Sequence, residues 1–144
     1  MSEEQKFELH VPSSVGSEKI AMDFAATVAR SLQFPADRIE DLKTAVAEAC
    51  MNAIEHGNKA DASTRVGIRL TAVADGLHIS VHDQGAGGIT PPSGPPDIES
   101  RMAGKTAPRG WGIFLIKNLM DEVSFESNEQ GNAVKMMIYL DKAQ

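Results

Sequence analysis

Glu48-Ala49-Cys50-Met51-Asn52-Ala53-Ile54-Glu55-His56-Gly57 is the stretch on which the reading of this chain turns. It lies inside a long helical pattern, in which residues three and four apart share a face. Glu48, Asn52 and His56 therefore stack on one side, a turn apart. Ile39, Leu42, Val46, Ala49, Cys50 and Ala53 form an apolar stripe on the opposite side. A carboxylate and an amide on consecutive turns can hold a hard cation or poise a water, and the same pair also suits a plain solvated face. Asp37 is expected to cap this helix, which runs to His56, and Gly57 fits the left-handed residue just past a helix C-terminus.

On the N-terminal side, Phe7, Leu9 and Val11 alternate with Glu8 and His10, the pattern of a half-buried strand. Pro12-Ser13-Ser14 ends it and offers a cap to a first helix, which carries Val15, Ile20, Phe24, Val28 and Leu32 at roughly helical spacing. Phe34-Pro35 breaks that helix before the second begins. On the C-terminal side, Val66, Ile68 and Leu70 alternate, Asp75-Gly76 signals a hairpin, and Leu77, Ile79 and Val81 continue a second strand that ends at His82-Asp83. The segment from Gln84 to Arg109 is crowded with glycine and proline, and a loop of that length in a compact domain is functional or disordered. Asp97 to Met102 has room for one helical turn. A short buried helix is expected from Gly110 to about Met120, then strands at Val123 to Ser127 and Ala133 to Leu140 joined by a turn. Helices and strands in this order predict an α+β fold: a two-layer sandwich, with a mostly antiparallel sheet covered on one face by helices. One domain, residues 1–144, accounts for the whole length.

The net charge of −6 argues against non-specific nucleic-acid binding, which needs a basic face. The lone cysteine, Cys50, excludes an internal disulfide and a cysteine-built zinc site, and its place in the apolar stripe makes it a core residue. No apolar run has the length of a membrane span, and no signal-peptide core follows Met1, so a cytoplasmic protein is expected. His10, His78 and His82 alternate with apolar residues and are expected on the solvent side. His56 suits a helix C-terminus electrostatically.

Two glycine-rich stretches change the weight of the central one. Asp83-Gln84-Gly85-Ala86-Gly87 ends a strand, where a carboxylate can accept from an exocyclic amine and glycines let a flat ring approach the backbone. Read alone it is equally a simple turn. Arg109-Gly110-Trp111-Gly112 precedes a helix, where successive N–H groups form an anion site to which Lys105 and Arg109 can add charge. The dinucleotide and P-loop signatures are both absent.

In their order and separation these three stretches resemble the GHKL, or Bergerat, ATP-binding domain. Gyrase, the heat-shock protein of ninety kilodaltons, sensor histidine kinases and MutL share it. The resemblance covers nearly the whole chain. Glu48…Asn52-Ala53…His56-Gly57 is similar to the family's N-box, Asp83-x-Gly85-x-Gly87 to its first glycine box and Gly110-x-Gly112 to its second. Within that superfamily the chain looks most like the short anti-sigma factor serine/threonine kinases, which the run at Glu48 to Gly57 and Met120-Asp121-Glu122-Val123 also fit. The resemblance implies ATP and Mg2+ as cofactors, with Asn52 on the metal and Glu48 as the base acting on the attacking hydroxyl. It places Asp83 on the adenine amine, Gly85 and Gly87 against the base, and Gly110 and Gly112, helped by Lys105 and Arg109, on phosphates. Residues from about 88 to 109 would form the ATP lid. Its implied partners are a sigma factor and an anti-anti-sigma factor of the STAS type, with no nucleic acid or membrane, and it suggests a homodimer. A partner switch that binds ATP without efficient phosphoryl transfer is the alternative. Many members carry Gly-x-Gly-Thr on the late strand, whereas this chain reads Gly131-Asn132-Ala133-Val134.

Overall fold

The computed structural model describes residues 5–85 and 108–141. Strand β1 (Lys6–Pro12) leads to helices α1 (Ser17–Ser31) and α2 (Ala36–Asn52), and α2 runs on into a π-helical turn (Ala53–Gly57). Strands β2 (Arg65–Val73) and β3 (Gly76–His82) follow, then helix α3 (Pro108–Leu119) and strands β4 (Glu122–Asn128) and β5 (Gly131–Tyr139). The sheet order is β1-β2-β3-β5-β4, and every neighbouring pair is antiparallel. The fold is therefore α+β, as the alternation of the sequence predicts.

Period-two patterning puts Val66, Ile68 and Leu70 of β2, Leu77, Ile79 and Val81 of β3, and Val134, Met136 and Ile138 of β5 into one core. The helices close that face with Ile39, Leu42, Val46, Ala49 and Cys50 of α2 and Ile116 of α3. Burial pushes the Cys50 thiol up to about 12, so it is inert packing. Alkylation by iodoacetamide should be negligible in the native protein and rapid after unfolding. Fast labelling under native conditions would contradict this placement. The other sheet face is polar: Glu8 pairs with Arg69 and Lys135 with Glu126 across strands. His10 and His78 are exposed there, as expected, but His82 is half-buried. Burial first, then Arg69 and His10, hold its imidazole below the usual histidine range.

Five local expectations are corrected. Val15 and Ile20 are not core residues; they are 87% and 55% exposed, and α1 instead buries Ala21, Ala25, Ala26, Val28 and Ala29. Alanines at i, i+4 and i+8 make a flat stripe that lets α1 lie close to α2, a signal that a search for large apolar residues misses. Helix α1 is not capped by serine: Gly16 takes the left-handed region at φ 102° and donates its N–H to the Glu18 carboxylate. Ser13 is fully buried and hydrogen-bonded to Asn58 and Thr64. Asp37 lies in the first turn of α2, and Pro35 occupies the cap position. Finally, the α-helical pattern stops at Asn52. The π-turn holds an extra residue per turn, so His56 leaves the line of Glu48 and Asn52. Gly57 has no positive φ, and its reason lies in the site.

At the far end of α2, Arg38 is 3% exposed. Its guanidinium pairs with Asp121 just before β4, lies 3.6 Å from Asp41 and donates through Nε to the Tyr139 carbonyl at 3.3 Å. Asp121 also accepts the Tyr139 N–H at 2.8 Å. These bonds fasten α2 to β5 and to the turn after α3.

Candidate functional site

The site lies where the end of α2, the end of β3 and the start of α3 converge. Glu48 and Asn52, one helical turn apart, both face Gly112 of α3. A Cβ on Gly112 would fall 2.8 Å from Glu48 Oε2 and 3.3 Å from Asn52 Nδ2. Gly112 thus lets α3 pass close over the carboxylate and the amide. The helix begins at Pro108, so Gly110 and Gly112 lie within its opening turns and do not precede it. Proline suits a first helical position, because the N–H it lacks would have no helical acceptor.

Asp83, 7% exposed, lies on the other side of the π-turn. A Cβ on Gly57 would fall 2.1 Å from Asp83 Oδ2, and one on Gly85 would fall 2.1 Å from the Gly57 carbonyl oxygen. Glycine at 57 is therefore required by the close approach of the carboxylate. This is the physical link between the His56-Gly57 and Asp83-x-Gly85 stretches, which are far apart in sequence. Asp83 Oδ1 accepts from the Gly85 N–H at 2.7 Å, from the Asn132 side-chain amide at 3.0 Å and from the Asn132 N–H at 3.4 Å.

Asn52 Nδ2 and His56 Nε2 are buried side-chain atoms with no hydrogen-bond partner among the described residues. A buried polar group left unpaired is costly, so each of these two atoms calls for a partner beyond the described residues. An amide beside a carboxylate is a hard, oxygen-bearing donor set of the kind magnesium takes. Of the expected site residues, Glu48, Asn52 and Gly112 meet at one end, and Asp83 and Gly85 meet at the other, either side of Gly57. Arg109 and Gly110 contribute backbone to the first turn of α3. Gly87, Lys105, most of the span assigned to the lid and the helical turn at Asp97 to Met102 lie outside the described residues.

The model of the histidine kinase-like ATPase domain matches residues 11–138. The chain belongs to that family. Among its relatives is the serine-protein kinase RsbW of Bacillus subtilis strain 168, 34% identical over 140 residues, which cover 90% of this chain and 80% of that one. RsbW of Bacillus licheniformis is 33% identical over 139 residues, covering 91% and 81%. These similarities place the chain within the serine-protein kinase branch of the family. The crystal structure of the RsbU and RsbW domains of a Mycobacterium tuberculosis protein superposes on 94% of this chain and 32% of that one, with a TM-score of 0.67 at 15% identity. The histidine kinase domain of a blue-light activated kinase from Erythrobacter litoralis covers 74% of this chain and 46% of its own, with a TM-score of 0.53 at 22% identity. Both likenesses bear on the fold alone. Among the described residues, no helix is long and apolar enough to cross a membrane.

Two asparagines of this histidine kinase-like ATPase domain escaped the sequence reading as working parts. Asn132 is 5% exposed and grips Asp83. Asn58 is 6% exposed. Its Nδ2 donates to Ser13 Oγ at 2.9 Å and to the Arg65 carbonyl at 3.0 Å, and its Oδ1 accepts the Gln84 N–H at 2.8 Å. Asn58 thereby fixes the residue after Asp83 to the starts of β2 and of the turn into α1. Asn58 carries no local signal, and Asn132 stood out only as a departure from the family's Gly-x-Gly-Thr; their partners lie on different elements.

Proposed function

We propose that this chain is an ATP-dependent anti-sigma regulatory factor. In this reading it phosphorylates a serine of an anti-anti-sigma antagonist of the STAS type, and it sequesters a sigma factor, in the cytoplasm. The observation that carries the reading is Glu48 and Asn52 one turn apart against Gly112, with Asp83 clamped beside Gly57 at the other end of the same helix terminus. That spacing suits a nucleotide lying with its base at Asp83 and its phosphates near α3. Mg2+, held through Asn52, would supply charge neutralisation to the phosphates. Glu48 would take the proton of a serine hydroxyl as its oxygen bonds to the γ-phosphorus and the bond to the β-phosphate oxygen breaks, releasing ADP. Gly85, packed on the Gly57 carbonyl, would wall the base, and the opening N–H groups of α3 at Gly110 would face the phosphates. Gly87, Lys105 and Arg109 belong to the same proposal by resemblance.

The deciding experiment is capture from native lysate with and without ATP, followed by transfer of labelled γ-phosphate to the recovered proteins. Labelling of a small captured protein on serine supports the kinase reading. Capture of a sigma factor without any labelled protein would overturn it and leave an ATP-dependent binding switch. The adenine end is tested separately by Asp83→Asn. A charged acceptor contributes about 1.5–3 kcal/mol through its hydrogen bond, so ATP affinity measured by calorimetry should fall by roughly tenfold to a hundredfold. Unchanged affinity would move the base elsewhere.

A further inference from the structure

The carboxylate of Asp83 is not held symmetrically. The donors that reach it from the chain, Gly85 N–H, Asn132 N–H and the Asn132 amide, all converge on Oδ1. No donor among the described residues reaches Oδ2, which lies over the space left by the missing side chain of Gly57. The Asn132 amide is itself oriented: Ser127 Oγ, across the β4–β5 ladder, donates to Asn132 Oδ1 at 2.8 Å. That bond turns the amide oxygen toward Ser127 and the NH2 toward Asp83. An unheld amide could present its oxygen and repel the carboxylate. The backbone closes the arrangement. Asp83 N–H donates to the Asn132 carbonyl at 2.9 Å, and a Cβ on Gly131 would fall 1.9 Å from the Asp83 carbonyl oxygen, so the two backbones lie in close contact at this point.

We infer that Asn132, oriented by Ser127, is a positioning residue that occupies Asp83 Oδ1 and reserves Oδ2 as a lone acceptor, making the site selective for a purine with an exocyclic 6-amino group. This deepens the reading of Asp83 as the adenine partner and rests on it. A single acceptor with fixed direction rewards an N–H donor of the base. A base without that amine gains nothing from it and leaves Oδ2 without the donor, the arrangement from which discrimination by hydrogen bonding arises.

The test compares ATP with purine riboside triphosphate, which lacks the 6-amino group, by calorimetry on the parent, Asn132→Ala and Ser127→Ala. The parent should prefer ATP. In Asn132→Ala, ATP affinity should fall about tenfold, the scale of one hydrogen bond to a charged group. The analogue's affinity should stay near its parent value, so the preference narrows by the same factor. In Ser127→Ala, whose site is exposed and safe for folding, the preference should narrow about threefold, the scale of one neutral hydrogen bond. Equal weakening of both ligands in Asn132→Ala would reduce Asn132 to a structural residue and overturn the inference. If that variant does not fold, an unchanged preference in Ser127→Ala overturns it instead. A parent that binds both ligands equally overturns the adenine reading of Asp83, and this inference with it.

Discussion

Glu48→Gln should slow single-turnover phosphoryl transfer to the captured antagonist by about 10²–10⁴-fold, the usual contribution of a general base, while ATP binding stays near the parent value. The substitution keeps the shape of the side chain and removes its charge and basicity. The carboxylate is fixed on the last α-helical turns of α2 and backed by Gly112, so the amide should occupy the same place. Asn52, a turn further on, and Asp83, beyond the π-turn, are untouched, which is why the loss should fall on the chemical step and not on the affinity. A serine hydroxyl delivered by a partner then has no acceptor for its proton, and positioning and charge stabilisation alone remain. Quench-flow with labelled ATP reads the rate. A glutamine variant as fast as the parent would remove Glu48 from the mechanism.

The second large effect is on stability. Arg38→Ala should cost about 3–5 kcal/mol, because removing one member of a buried pair leaves the other charge without compensation. Here the loss is compounded. Among the described residues, Asp121 would keep only the Tyr139 N–H, and the Tyr139 carbonyl would lose the Nε donor. Urea unfolding followed by circular dichroism should show a lower midpoint with an unchanged slope. Arg38→Met, tested alone and with Asp121→Leu, separates the pair from its packing. Replacing both partners by apolar groups should recover most of the loss. A single alanine variant within about 0.5 kcal/mol of the parent, the range of an ordinary surface change, would show that the pair does not fasten α2 to β5.

Much of this was legible in the residues. Alternation at Val66-Ile68-Leu70 and Leu77-Ile79-Val81 predicted the central hairpin, and the stripe Leu42-Val46-Ala49-Cys50 predicted which face of α2 is buried. The spacing of Glu48 and Asn52 put them on one face because four residues make about one α-helical turn. The same rule failed for His56, since nothing in Ala53-Ile54-Glu55 signals the switch to π geometry. Gly57 and Gly112 stood out as glycines, but their reason, a neighbouring side chain or helix at near-contact distance, depends on packing between elements. Arg38, Asp121, Asn58 and Asn132 were unreadable as a class. Each is a buried or partly buried polar residue with a partner on another element, and Met120-Asp121-Glu122-Val123 drew attention as a family pattern while Asp121 works as an anchor.

The register of the sheet bears on how the chain reaches this state. The β2–β3 and β4–β5 hairpins join residues close in sequence, Val73 with Gly76 and Asn128 with Gly131. The β3–β5 seam instead joins Gly76 to Tyr139 and Val81 to Val134. Pairings of such long sequence separation demand costly loop closure and set the pace of folding. The grip of Asn132 on Asp83 is the continuation of that seam. The acceptor therefore comes into being only when the two halves of the chain have zipped together, and a ligand that uses it would bind and stabilise the finished fold rather than either half.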